Sequence, residues 1–270
     1  TELPARVINR WQVRGGDAAI LPVGSCDALG PHLPVGARSY TAEALAMLLA
    51  EEADALYLPV VPMTPVFGTQ AAPGAVDVSE KETNALIRGI LDDLVETGFR
   101  RIVVLTYLEY AHYYLTQELW EDRSVPVLCV DLSERLEAGM KERGVQEDSV
   151  VLGALKIVGR NDLVEKCTAA WKKRRAGGTD TAEISSALRK VRSRGAVGPR
   201  LPEGAYPVPP GEALDPDGGE AVLRDFSVRA AGAVAAMRDY NEFLARTDSR
   251  GFLKGAWFAA PISDGKEPEQ

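Results

Sequence analysis

The side chains able to do chemistry gather in two stretches of the chain, Gly24–Arg38 and Tyr107–Tyr114. The first holds Cys26, Asp27, His32 and Arg38. His32 and His112 are the only two histidines, and histidine is the side chain that gives and takes protons near neutral pH. His32 is therefore a candidate acid or base, or else a residue that holds its loop by hydrogen bonds. Asp27 can exchange a proton or face a cation. Cys26 can attack a substrate only if a base or a positive charge forms its thiolate. His32 or Arg38 can supply one, yet no cysteine-hydrolase motif surrounds Cys26, and a buried thiol is the competing reading. The second stretch holds Tyr107, Glu109, Tyr110, His112, Tyr113 and Tyr114. Glu109 and His112 stand three apart and share a face if the segment is helical. With Asp27 or His32 they compose a permissible set for a single zinc ion. On the same helix Tyr107, Tyr110 and Tyr114 form an aromatic stripe. It can line a pocket for a flat or apolar ligand, with hydroxyls for hydrogen bonding or proton transfer, or pack at a helix or subunit interface.

Short apolar runs alternating with helical patterns must position these groups. Ala18–Val23 (AAILPV) reads as a strand entering a Gly/Pro-rich loop, and Thr41–Ala53 as a helix with Ala42, Leu45, Leu48 and Leu49 on one face. Ala55–Val61 is a second apolar run. Ser79 caps a helix, Glu82 completes a capping box, and Gly98 stops it. Arg101–Thr106 and Val125–Val130 read as strands, followed by a helix ending near Gly144 and a strand near Val150. Such alternation predicts a mostly parallel sheet with helices on both faces. Ligands of such sheets sit beyond the carboxyl ends of the strands, where Gly24–Arg38, Pro62–Ala75 and Tyr107–Tyr114 fall. Gly195–Gly219 is a Pro/Gly-rich excursion, and Ala221–Leu244 reads as one long helix. Residues 1–250 are read as a single domain and 251–270 as a C-terminal tail.

The bulk properties narrow the partners. The 270 residues are 46% hydrophobic and 26% charged, ordinary for a globular protein. A net charge of −8 argues against nucleic acid or an anionic membrane, which favour basic patches. Three dispersed cysteines form neither a metal motif nor a disulfide framework. The amino-terminal stretch carries charges where a signal peptide needs an apolar core, and no apolar run reaches the roughly 18 residues that span a bilayer. These features predict a cytoplasmic protein without a membrane segment.

Ile20–Ala44, ILPVGSCDALGPHLPVGARSYTAEA, resembles the opening signature of the creatininase family through Pro22, Gly24, Ser25, Gly30, Pro31, His32, Leu33, Pro34 and Gly36. PVFGTQAAPGAVDVS is similar to the family's Tyr-Gly and Phe-Pro-Gly-Thr loop. ETGFRRIVVLT is similar to the strand before its Asn-Gly-His motif, and DGGEAVLRDFSVRAAGAVAAM to its closing helix. The resemblance spans most of the chain. It implies an α/β three-layer sandwich, a small-molecule substrate and a homo-oligomer, often a hexamer. Family members hydrolyse cyclic or linear amides or act on related molecules in specialised biosynthesis.

The departures fall on the metal-binding positions. Where the family has Glu, His and Asp ligands in its first loop, this chain has Asp27, Leu29 and Arg38. Gapless alignment sets Leu108 and Tyr110 at the His and Glu of the second loop. The downstream Gly-His-Ala-Gly and Glu-Thr-Ser motif finds no counterpart in QEDSVVLGALKIVGRNDLV, although Arg-x-Asp-Leu-Val aligns. Leucine has no donor atom, and arginine is permanently protonated. The resemblance thus implies an enzyme without the binuclear centre and without a cofactor. Asp27, His32, Glu109, Tyr107 and Tyr110 would be its acid/base groups, and Arg38, Cys26, His112 and Tyr114 its substrate-binding groups. Arg38 is expected to meet Asp27 through a bidentate contact, a fixed cation in the place of an ion. A hydrolase with the relocated single metal, and a non-catalytic ligand-binding or scaffold protein, are the alternatives.

Overall fold

A computed structural model describes residues 3–30, 32–66, 74–107, 125–176 and 213–246. Its four strands, β1 (Ala18–Val23), β2 (Leu56–Tyr57), β3 (Arg101–Thr106) and β4 (Val127–Asp131), form one parallel sheet in the order β2-β1-β3-β4. Ala18 through Val23 lie opposite Arg101 through Thr106, and Ile102 through Thr106 opposite Val127 through Asp131. Every residue of β1 and β3 is buried, which is why both read as continuous apolar runs rather than alternating ones.

The period of two along β1 assigns the helices to their faces. Ala18 and Ile20 pack on one side with α2 (Ala37–Ala53), α4 (Leu132–Arg143), α5 (Glu147–Ile157) and α7 (Pro216–Arg246). Ala19, Leu21 and Val23 pack on the other with Ile87, Leu91 and Leu94 of α3 (Glu80–Glu96), and with Trp11 of α1 (Ala5–Val13). A further helix, α6 (Asn161–Ala176), joins a smaller cluster through Leu163, Val164 and Cys167. Each fully buried Leu or Ile contributes about 1.5–3 kcal/mol, so this layering carries most of the stability. Among the described residues no helix is long and apolar enough to cross a membrane.

Several expected boundaries move. The Ala55–Val61 run yields only two strand residues, and Val61 makes a lone bridge to Val23. The Ser79–Glu82 capping box is half formed. Ser79 Oγ accepts from the Glu82 N–H at 3.3 Å, but the Glu82 carboxylate accepts from the Ser79 hydroxyl rather than from its backbone. The stretch around Val150 is not a strand. It is α5, whose first turn carries Glu147 and Asp148 and whose residues Ser149–Leu155 are all buried. A helix buried all round shows no amphipathic period, so its two adjacent valines imitate a strand. Residues 216–219, assigned to the excursion, form the first turn of α7 with Pro216 leading, a position where its missing N–H costs nothing.

The α5–α7 crossing fixes where the first turn of α5 lies. A Cβ built on Gly153 would stand 2.3 Å from the Glu220 backbone nitrogen, and one on Gly219 would stand 1.9 Å from the Ser149 carbonyl oxygen. Only glycine permits that approach. Ser149 Oγ also accepts from the Asp215 N–H at 2.9 Å.

Candidate functional site

The loop leaving β1 is held on three sides. A Cβ on Gly24 would lie 2.4 Å from Ser39 Cα, so the end of β1 passes directly against α2. Ser39 Oγ donates to the Ser25 carbonyl at 3.0 Å, and Thr64 Oγ1 donates to the Gly24 carbonyl at 2.8 Å. Gly36 N–H donates to the Asp27 carbonyl at 3.0 Å. Gly36 has φ +83°, the left-handed conformation that turns the chain into α2.

This frame buries Asp27 at 2% exposure. Its Oδ1 accepts from the Ser25 hydroxyl at 2.7 Å, and its Oδ2 accepts from Arg38 Nη1 at 3.0 Å. The expected bidentate contact is therefore a single one, because Ser25 holds the other oxygen. Arg38 sits one residue into α2, with its Cζ 5.2 Å from the ring centroid of Tyr107 at the end of β3. That is cation–π range. Its side chain is 32% exposed, and its Nε is buried without a hydrogen-bond partner among the described residues. The cation is thus held by a buried anion on one side and an aromatic face on another, on a side chain about one third open to solvent.

Two further carboxylates come from the first turn of α5. Desolvation raises the Glu147 carboxyl above the ordinary glutamate range; Arg38 opposes this, while Asp148 and Asp27 reinforce it. Glu147 nevertheless keeps an exposed surface. Asp148 Oδ2 lies 2.9 Å from His32 Nε2, and His32 itself is 7% exposed. Burial, with Glu147 next, holds the Tyr107 hydroxyl well above the usual phenol range; Arg38 and a side-chain hydrogen bond with Thr41 act the other way, and Asp27 adds to the rise.

The structure brings together Asp27, Arg38 and Tyr107, and sets His32, in the loop before α2, against Asp148 of the first α5 turn. Cys26 is half-buried and its Sγ donates weakly to the Gly74 carbonyl at 3.6 Å. Leu29, partly buried, packs against the cluster of Leu33, Ala37, Val151, Leu152 and Leu155. Leu108, Glu109, Tyr110, His112, Tyr113 and Tyr114 lie outside the described residues. The local pattern does not mark Glu147 and Asp148, because the apolar residues around Val150 read as a strand. Yet Glu147-Asp148-Ser149 keeps the first and last residues of the Glu-Thr-Ser motif, and that signal was available.

The model of the family described as creatinine amidohydrolase matches residues 6–113. Over that stretch the chain is similar to the creatininase family. Solved structures with the same fold include a putative creatinine amidohydrolase from Bacteroides fragilis NCTC 9343, at 16% identity and TM-score 0.55, covering 82% of this chain and 90% of that one. A creatininase designated Mn has 17% identity and TM-score 0.56, with 88% and 96% of the two chains covered. A mutant creatininase of Zn-Zn type has 18% identity and TM-score 0.55, with the same coverage. A search of curated proteins gave no match.

Those relatives raise the question of a metal centre. Among the described residues no group of three or more His, Cys, Asp and Glu side chains converges as an ion site. Both oxygens of Asp27 are engaged, by Ser25 and Arg38. His32 Nε2 is engaged by Asp148. The Arg38 guanidinium beside Asp27 would also repel a cation placed there. The described residues do not fit a two-ion centre.

Proposed function

We propose that this chain is a creatininase-fold enzyme that acts on a C–N bond of a small molecule, an amide, a lactam or related ring-opening chemistry, by metal-independent acid/base catalysis. The observation that carries this reading is the buried Asp27 clamping Arg38 at the carboxyl end of β1, where a carboxylate of the family faces a cation. The open part of the guanidinium can receive the substrate carbonyl oxygen and stabilise the oxyanion that forms when water adds to the carbonyl carbon. As the C–N bond breaks, the departing nitrogen needs a proton. Glu147 keeps its proton to higher pH than an ordinary glutamate, which suits it to that donation. The proton lost by the attacking water restores the balance through the site's base. The reading extends to a cytoplasmic homo-oligomer, in which a hexamer would appear by light scattering as six times the 29.1 kDa chain.

A panel of lactams and linear amides, assayed with and without chelator, tests the reading. Turnover should persist in chelator and fall by roughly 100-fold or more in Arg38→Ala, the cost of losing an oxyanion donor. Turnover that survives Asp27→Ala, His32→Ala and Arg38→Ala alike places the chemistry elsewhere.

Glu147 has its own signature in pH. If it is the acid, activity should fall as pH rises through its raised pKa, and Glu147→Gln should abolish that alkaline limb. Its stability effect has a definite sign. A carboxyl whose folded pKa lies above its unfolded one costs folding energy when ionised. Glu147→Gln should therefore raise the melting temperature at pH 7. The gain should vanish below the ordinary glutamate range, where the carboxyl is protonated in both states.

A further inference from the structure

The His32–Asp148 pair supplies the base that the proposed reaction lacks. His32 Nε2 lies 2.9 Å from Asp148 Oδ2, and the two side chains are only 5% and 14% exposed. An ionised carboxylate can only accept a hydrogen bond, so Nε2 carries the proton. Asp148 stands in the first turn of α5, where the helix N-terminus favours the anion. The other ring nitrogen, Nδ1, is buried and has no hydrogen-bond partner among the described residues. It is an acceptor without a donor.

Gly30 lies against that edge of the ring and, having no Cβ, leaves room beside it. A Cβ on Gly30 would stand 3.2 Å from His32 Cε1 and 3.4 Å from Nδ1, so any larger residue there crowds the free nitrogen. The adjacent Glu147 is coupled electrostatically to Arg38 and Asp27. One helical turn therefore carries both the proposed acid and the partner of the histidine.

We propose that Asp148 is a positioning residue that fixes His32 in the Nε2–H tautomer, so that Nδ1 is the proton-accepting nitrogen of the site. This rests on the metal-independent reading above. In the step, the water O–H bond breaks and its proton passes to Nδ1 while the water oxygen bonds to the carbonyl carbon. The C–N bond then breaks and the nitrogen leaves with the proton of Glu147. The imidazolium returns its proton through solvent to the Glu147 carboxylate. No oxidant or co-reactant is consumed.

Nitrogen NMR of the histidine-labelled full chain tests the tautomer directly. With two histidines in the sequence, the signal that disappears in His32→Gln identifies His32. The neutral ring should show protonated Nε2 and bare Nδ1, and Asp148→Asn should abolish the preference. On an amide that the wild type hydrolyses, Asp148→Asn should lower kcat by about 10–100-fold with KM little changed, and Asp148→Glu should recover part of the loss. A His32 ring protonated at Nδ1, or turnover and pH profile unchanged in Asp148→Asn, overturns the proposal while leaving the role of Arg38 standing. If no amide is turned over by any form, the enzyme reading fails and the tautomer measurement alone decides the assignment of Nδ1.

Discussion

Arg38→Met should destabilise the fold by about 2–4 kcal/mol in urea denaturation, more than loss of an ordinary surface charge produces. The reason is the environment of its partner. Asp27 is 2% exposed, and its remaining described hydrogen bond comes from Ser25. Removing the cation leaves a buried carboxylate held, among the described residues, only by a neutral hydroxyl and with the Glu147 carboxyl nearby. The estimate stays below the 3–5 kcal/mol of a fully buried pair because Arg38 is about one third open to water. The reverse change, Asp27→Asn, should cost less, since the freed guanidinium can hydrate through its open side and still face Tyr107. The double variant should then lose well less than the sum of the two single losses. A double-mutant cycle measures this coupling. Additive losses would show that the two side chains merely lie side by side.

The second large effect lies at the α5–α7 crossing. Gly219→Ala and Gly153→Ala should each cost more than about 3 kcal/mol, because overpacking here cannot be relieved by a rotamer change. The atoms in the way are backbone: the Ser149 carbonyl oxygen at 1.9 Å for Gly219, and the Glu220 nitrogen at 2.3 Å for Gly153. Gly218→Ala is the informative contrast. Its nearest obstacle is the Asp215 carboxylate at 2.3 Å, a side chain that can rotate aside at the loss of its hydrogen bond to the Gly218 N–H. Gly232, within α7, has nothing within 4 Å of its built Cβ. Gly232→Ala should therefore stabilise by about 0.5–1 kcal/mol. Chemical denaturation of the four variants should give the order Gly219 and Gly153 worst, Gly218 intermediate, Gly232 favourable. Because the crossing carries α5, partial folding of the Gly153 variant should also lower any activity.

The fold was legible where local pattern and burial agree. β1 and β3 announce themselves as six-residue apolar runs, and α3 carries both its Ser79 cap and a Gly98 with φ +99° just beyond its end. It was illegible where burial erases the pattern. α5 is buried all round and so lost its period, and with it went Glu147 and Asp148. The Gly218-Gly219 pair likewise reads as a turn, whereas its role is a close helix crossing that depends on a partner 66 residues earlier, Gly153. The Asp27–Arg38 partnership was readable because both lie in one motif and have opposite charge. Its monodentate form was not, since Ser25 competes for the second oxygen only once the loop is folded. The His32–Asp148 contact joins residues 116 apart, and nothing in the local sequence of either one points to the other.

The central claim is that a side-chain cation occupies the place of an ion. The most direct measurement is the zinc and manganese content of the purified chain by elemental analysis, before and after incubation with each metal and desalting. Far less than one ion per chain is expected, unchanged in Asp27→Ala. One or two ions per chain that disappear in Asp27→Ala would contradict it.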